Sequence, residues 1–391
     1  MPLLPWFLIS ALLHAWAAWR LAPALAGLLP VASDGIWLWA ILSTVLVPLG
    51  FLGRRAAGGL VTVLAWLGLV AMGLFSTVLV LTLGRDALLL LAWAADLVLP
   101  MGVPLDTVQQ WTAAAVPALA LAATAWGLWN ARRTAAVVQV DVPVPDLPAA
   151  LHGFTVAQIS DVHVGPTIKG RYLQRIVDKV NRLGADMVAI TGDLVDGRVA
   201  DLAPHVAALA RLTSRHGTFF VTGNHEYYSG ANAWVAELRR LGVKVLMNEH
   251  VVLQHPAPAQ AGHPPAGSAP LLVAGVTDYS AHHFDERQRS DPQAALRGAP
   301  AGPLFRLLLA HQPRSAPAAA RAGFDLQLSG HTHGGQFWPW NLFVRFQQPF
   351  TAGLNRLQQL WVYTNRGTGY WGPPKRFGVP SEITRLRLVR T

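Results

Sequence analysis

The sequence predicts an apolar α-helical bundle suited to a membrane, followed by an α/β domain. Three observations carry that prediction. Residues 1–130 are built of long apolar runs with few charges. From residue 154 onward, short β-type runs alternate with amphipathic helical stretches. Five of those β-type runs stop at Asp, Asn or His, and strand C-terminal ends are where open α/β sheets place their ligand sites.

Composition frames the classes that remain. Of 391 residues, 52% are hydrophobic and 13% are charged, against about 25% charged in ordinary soluble domains. The length allows two or more domains. With no cysteine in the chain, disulfides, thiolate metal sites and a cysteine nucleophile are excluded. Arg20, Arg54, Arg55 and Arg85 cancel Asp34, Asp86, Asp96 and Asp106 in the first 130 residues, so the whole net charge of +10 lies beyond them. That excess suits phosphate-bearing substrates, an anionic membrane surface or nucleic acid.

Residues 5–29, 35–53, 59–83 and 108–129 are each long enough to cross a hydrocarbon core, which takes about 20 residues. Trp6, Trp37, Trp39, Trp111 and Trp129 lie near their ends, as interfacial anchors do. Residues 87–100 are apolar but short and carry Asp96; they read as a re-entrant or interfacial segment, with a fifth span as the alternative. The pairs Arg54-Arg55 and Arg132-Arg133 are expected to face the cytoplasm. Four spans satisfy both pairs and put the following domain in the cytoplasm, on an inner membrane; five would split them. The first run lacks a basic leader and is followed by more spans, which argues against a cleaved signal peptide. A plain anchor is the preferred reading. A transport path would need paired charges within the spans, for which Arg20 and Asp96 are the candidates. Residues 131–152, proline-rich over 141–151, read as a stiff linker, and the second domain is expected over 153–391.

In that domain "FTVAQIS" stops at Asp161, with His163 following. "MVAIT" stops at Asp193, and "GTFFVT" at Asn224 and His225. "RLLLA" stops at His311, and "FDLQLS" at His331 and His333. Helices are expected over 171–183, 200–213 and 231–241, and further strands over 243–247, 250–254 and 271–276. Carboxylates, imidazoles and one amide oxygen suit borderline divalent ions such as Mn²⁺, Fe²⁺ or Zn²⁺. The set is too large for one ion. Two ions about 3.5–4 Å apart, bridged by a carboxylate, would use all of it.

"DVH", "GDLVDG", "GNHE", "AHQP" and "GHTH" stand in the order and approximate spacing of the calcineurin-like metallophosphoesterases, and residues 150–391 resemble that family. The resemblance implies an αββα sandwich with its site at strand ends. It implies that Asp161, His163 and His333 hold one ion, that Asn224, His311 and His331 hold a second, and that Asp193 bridges them. If 331–333 continue a strand, the two imidazoles share a face while Thr332 points away. Two divalent ions are the implied cofactors, Mn²⁺ foremost, with Fe²⁺ or Zn²⁺ as alternatives. The implied reaction is attack on phosphorus by a metal-activated hydroxide. His225 would donate a proton to the leaving oxygen or stabilise the charge there. Asp196 and Glu226 are candidates for orienting the ligands, and Arg366 for binding substrate phosphate. "SGHTHGGQ" and "NRGTGYWGPPKRFGVPSEITRL" resemble a narrower, membrane-anchored branch. That branch includes the transmembrane metallophosphoesterases and bacterial enzymes that cleave UDP-2,3-diacylglucosamine in lipid A biosynthesis. A nucleotide-linked lipid is therefore the leading substrate.

Other features read more plainly. His152, His205, His216, His250, His255 and His263 are expected to be structural or solvated, and His282-His283 to sit in a surface loop. Lys375 and Arg376 read as solvated basic surface in preference to phosphate or headgroup ligands. Residues 254–270 read as a surface loop. "FWPWNLFVRF" (337–346) fits a core segment as well as it fits one that dips into the membrane interface or grips an acyl chain. The same anchor would also suit another lipid phosphodiester or a general phosphatase of unknown substrate, and two other functions compete. A nuclease fits the basic charge, but no Lys/Arg track interleaved with stacking aromatics is present. A metal-binding sensor without turnover has no use for His225.

Overall fold

The computed structural model describes residues 4–52, 58–99, 102, 104–257, 267–302 and 304–391. Two compact units emerge: Met1–Arg132 with Gly372–Phe377, and Arg133–Trp371 with Gly378–Thr391.

The first unit contains α1 (Leu4–Ala26), α2 (Pro30–Leu52), α3 (Gly59–Val98) and α4 (Leu105–Arg132). All four are long and apolar enough to cross a membrane. Residues 87–98, expected to re-enter or to form a separate span, instead continue α3 without a break. Charged side chains just before that stretch meet one another. Arg20 Nε lies 2.7 Å from Asp86 Oδ2, Arg85 Nη1 lies 3.2 Å from Asp86 Oδ1, and Arg85 Nη2 donates to Gln109 O. Arg20 thus pairs with Asp86. Trp6, Trp37, Trp111 and Trp129 are exposed, but Trp39 packs beside His14 and Phe75. At Gly68 a Cβ would stand 2.2 Å from Leu46 O, so only glycine lets α2 and α3 approach this closely. Lys375 and Arg376 are buried, not solvated as expected. Lys375 Nζ donates to Gly73 O and Thr124 Oγ1 at 3.1 Å each and to Thr77 Oγ1. Arg54 and Arg55, which carried the orientation argument, lie outside the described residues.

The second unit is two stacked six-stranded sheets. The first runs β1-β12-β2-β3-β4-β5, from β1 (Ala136–Val144), β12 (Glu382–Arg390), β2 (Thr155–Ile159), β3 (Met187–Ile190), β4 (Thr218–Phe220) and β5 (Lys244–Val245). The second runs β10-β11-β9-β8-β7-β6, from β10 (Gly353–Leu357), β11 (Leu360–Thr364), β9 (Leu326–Ser329), β8 (Phe305–Leu309), β7 (Ser268–Gly275) and β6 (Glu249–Pro256). β2 to β5 are parallel, as are β7, β8, β9 and β11.

Strand alternation builds the core. Val156, Met187, Ala189 and Phe219 of the first sheet bury against Leu271, Val273, Leu307, Leu309, Leu326 and Leu328 of the second. The intervening Leu272, Ala274 and Leu308 face outward onto Ala316 and Ala319 of α9 (Ala316–Ala322). Strands covered on both faces explain the continuous apolar runs in the sequence. α5 (Gly170–Asn181) buries Tyr172, Leu173, Ile176, Val177 and Val180, the stripe of an amphipathic helix. α6 (Val199–Val206), α7 (Asn224–Ser229) and α8 (Ala231–Arg240) complete the helices. Two expectations change here. Residues 131–152, read as a linker, carry β1, whose Val142 and Val144 enter the core. The two ends of 254–270, read as a surface loop, are paired strand, since β6 reaches Pro256 and β7 starts at Ser268; residues 258–266, with His263, lie outside the described residues.

Candidate metal centre

The parallel strands β2, β3, β4, β8 and β9 end together, and the loop after each delivers one or two polar side chains. The loops are held in an uncommon backbone. Asp161, His163, Asp193, His331 and His333 all have φ between 51° and 69°. Non-glycine residues seldom adopt this left-handed region, and where they do the strain tends to mark functional sites. β9 stops at Ser329, so His331 and His333 lie in a turn. This left-handed turn, and not a strand pleat as expected, sets their directions.

Three groups of donor atoms result, each within 4.8 Å: Asp161/His163/His333, His163/Asp193/His225 and Asp193/His311/His331. His163 Nε2 is 3.1 Å from His333 Nε2, which is 3.4 Å from Asp161 Oδ1. On the other side, His311 Nε2 is 3.2 Å from both Asp193 Oδ2 and His331 Nδ1. Asp193 Oδ2 also stands 3.8 Å from His163 Nε2, so one carboxylate faces both clusters. Asn224 Oδ1 is buried and has no hydrogen-bond partner among the described residues. A buried amide oxygen without a partner is costly, and a cation would satisfy it. Nitrogen and oxygen donors packed this closely, with that orphaned carbonyl, fit divalent metal binding.

The supporting contacts are specific. His311 Nδ1 lies 2.7 Å from Thr191 O and donates to it, which turns Nε2 toward Asp193. Glu226 accepts from the N–H groups of Asp193, Leu194 and Gly223 at 3.0, 2.8 and 2.7 Å. It therefore ties the Asp193 loop to the start of α7. Asp196 Oδ1 lies 3.2 Å from His163 Nδ1 and 2.5 Å from His225 Nδ1. Arg366 stands at the rim, its guanidinium 3.4 Å from Glu382, and a Cβ on Gly334 would lie 3.2 Å from its Cγ. Among the described residues the other histidines stay outside the groups: the His282 and His283 rings lie against each other at a tilt of 44°, and His216 and His255 pair beside Phe154.

Charge follows burial. Burial pushes the Asp161 carboxyl up from the usual carboxylate range. Burial also opposes ionisation of Asp193, but His311 and His225 outweigh it and hold that carboxyl well below the usual range. Burial, and then the Asp193 charge, push Glu226 up to about 8 against its N–H donors. Burial, and then His311, push His331 down to about 3.

Sequence reasoning missed an aromatic wall beside His225. Tyr228 and Trp371 meet its ring edge-on at 5.3 and 5.8 Å, and Phe284 meets Tyr228 at 5.5 Å. Only Tyr228 left a local signal, three residues after His225 on one helical face. Trp371 and Phe284 arrive from distant loops.

Comparison with known proteins agrees with this geometry. The model of the calcineurin-like phosphoesterase family matches residues 154–335. The transmembrane protein with metallophosphoesterase domain of Bos taurus is 41% identical over 283 residues, covering 70% of this chain and 62% of that protein. Its Danio rerio counterpart is 38% identical over 269 residues, covering 67% and 59%. The chain thus spans about three-fifths of the length of these two relatives. An uncharacterized metallophosphoesterase of Aquifex aeolicus (strain VF5) is 30% identical over 231 residues, 59% of this chain and 82% of that protein. On its motifs, its two-sheet domain and these relatives, the chain belongs to the calcineurin-like metallophosphoesterases, and among its described residues it carries four helices suited to a membrane.

Proposed function

We propose that this chain is a membrane-anchored phosphodiester or pyrophosphate hydrolase that works with two divalent cations, Mn²⁺ foremost. The single observation that carries the reading is Asp193, whose carboxylate belongs to two donor groups at once. Asp161, His163 and His333 would hold one cation, Asn224, His311 and His331 the other, with Asp193 between. Bound cations supply positive charge at the phosphoryl oxygens and lower the pKa of water.

The chain's own residues do the rest. His225 Nε2 faces the ligand set, 4.0 Å from Asp193 Oδ2, while its Nδ1 donates to Asp196. The Asp196 carboxylate stabilises the imidazolium and fixes its ring plane. That leaves the Nε2 proton free to pass to the leaving oxygen. Glu226 holds the Asp193 and Asn224 loops in register through four backbone N–H groups, those of Asp193, Leu194, Val195 and Gly223. Arg366 lies at the edge of the His333 loop and would receive a substrate phosphate oxygen.

The leading substrate is UDP-2,3-diacylglucosamine, cleaved to UMP and the acylated sugar phosphate, with the domain in the cytoplasm at an inner membrane. Two features support it: the helices place the enzyme where an acylated substrate resides, and the wall of Tyr228, Phe284 and Trp371 beside His225 favours an apolar or planar leaving group. The test compares UDP-2,3-diacylglucosamine, bis(p-nitrophenyl) phosphate and single-stranded DNA as substrates of the detergent-solubilised protein in Mn²⁺. His225-dependent UMP release is expected. Cleavage of the small diester alone removes the lipid substrate and leaves the reaction class. DNA cleavage that falls steeply with salt would make the protein a nuclease.

A further inference from the structure

The segment that follows the metal-centre turn has a surface the hydrolytic reaction does not use. Two successive 3₁₀ turns, Trp340–Leu342 and Val344–Phe346, carry it. Such turns repeat every three residues, so side chains at i and i+3 stack over one another. Trp340, Phe343 and Phe346 therefore form one ridge, with ring centroids 6.0 and 6.4 Å apart. They are 41%, 53% and 73% exposed, and Leu342 and Trp338 beside them are also exposed. Five large apolar side chains in one short exposed segment mark an interaction site.

The segment that carries the ridge has charge of one sign. No acidic residue occurs between Asp325 and Glu382. Arg345 lies in the neighbouring row, its guanidinium carbon 5.2 Å over the Phe346 ring. Arg314 reaches the same segment through Nε to Gln347 O at 2.8 Å. An aromatic ridge on a segment that carries arginine and no carboxylate of its own matches the boundary of a bilayer: rings enter the acyl region while guanidinium groups stay among the headgroup phosphates. The same chain brings four helices suited to a membrane, so a lipid surface lies within reach of this domain throughout its life.

We infer that Trp340, Phe343 and Phe346 insert into the membrane interface as a second, reversible contact of the catalytic domain with lipid, with Arg345 on anionic headgroups. The contact is independent of the substrate the enzyme cleaves.

The absence of cysteine makes the test direct. Phe343→Cys, Phe346→Cys and, on the exposed face of α8, Ala236→Cys are each labelled with a nitroxide. The full chain is placed in nanodiscs of phosphatidylcholine and phosphatidylglycerol. Collision of the label with oxygen, which partitions into lipid, is compared with collision with a water-soluble nickel chelate. Both ridge labels are expected to favour oxygen several-fold, while the Ala236→Cys label favours the chelate. Ridge labels as open to the chelate as the α8 label would overturn the inference. Ridge labels shielded from both reagents and broadened by a second spin would overturn it too, because another copy of the chain would then cover the ridge. All three positions are exposed, so loss of folding is not expected to confuse the readout; retained hydrolysis of bis(p-nitrophenyl) phosphate checks it.

Discussion

Each residue of the site is fixed by a neighbour whose removal has a defined consequence. A Cβ at Gly223 would stand 2.2 Å from Asp193 Oδ1. Gly223→Ala is therefore expected to weaken cation binding by about 10–100-fold, the usual effect of disturbing a ligand's support, read by isothermal titration with Mn²⁺. His225→Ala is expected to lose about 10²–10⁴-fold in kcat with an alkyl leaving group. The loss should be far smaller with p-nitrophenolate, which departs without a proton. Equal losses for both would show that His225 is not the acid. Away from the site, burial lowers His216 and His255 from their ordinary value, against the nearby Asp186 that raises them. Folding thus favours their neutral forms. The stability they contribute is present above the unfolded value of about 6.5 and is lost as pH falls from there toward the lowered folded values. Melting temperature in detergent should fall with acidification in this range, and less so in His255→Phe.

Among the elements, β1 departs most from the sequence reading. Pro143, Pro145 and Pro148 made residues 131–152 look like an extended linker. Yet Val142 and Val144 alternate inward, and β1 is an edge strand, where a missing N–H is tolerated. Val142→Ala is expected to destabilise the domain by about 1–3 kcal/mol, measured by urea unfolding with hydrolysis as the probe; a linker residue would give no change. The strand ends with their ligands were legible because apolar runs stop abruptly at Asp, Asn or His. The left-handed backbone of Asp161, His163, Asp193, His331 and His333 was not, since it arises only when five loops close on one point. Similarly, residues 87–100 read as a separate segment because they are short and carry Asp96, whereas α3 runs on unbroken to Val98. Lys375 looked solvated because Thr77 and Thr124 lie 298 and 251 residues away in sequence.

Across the molecule, the two units divide the work of location and chemistry. The helices contain nearly balanced charge, and the net excess of +10 lies in the remainder of the chain. That part carries both the ligand set and the exposed aromatic ridge. The central claim is that one carboxylate, Asp193, joins two cation sites. The most direct test is the metal content of the purified protein by mass spectrometry, after Mn²⁺ loading and removal of free ion. Two equivalents per chain are expected for the wild type and fewer than one for Asp193→Asn, with hydrolysis lost in parallel. A single equivalent in the wild type, or two retained by Asp193→Asn, would contradict the account.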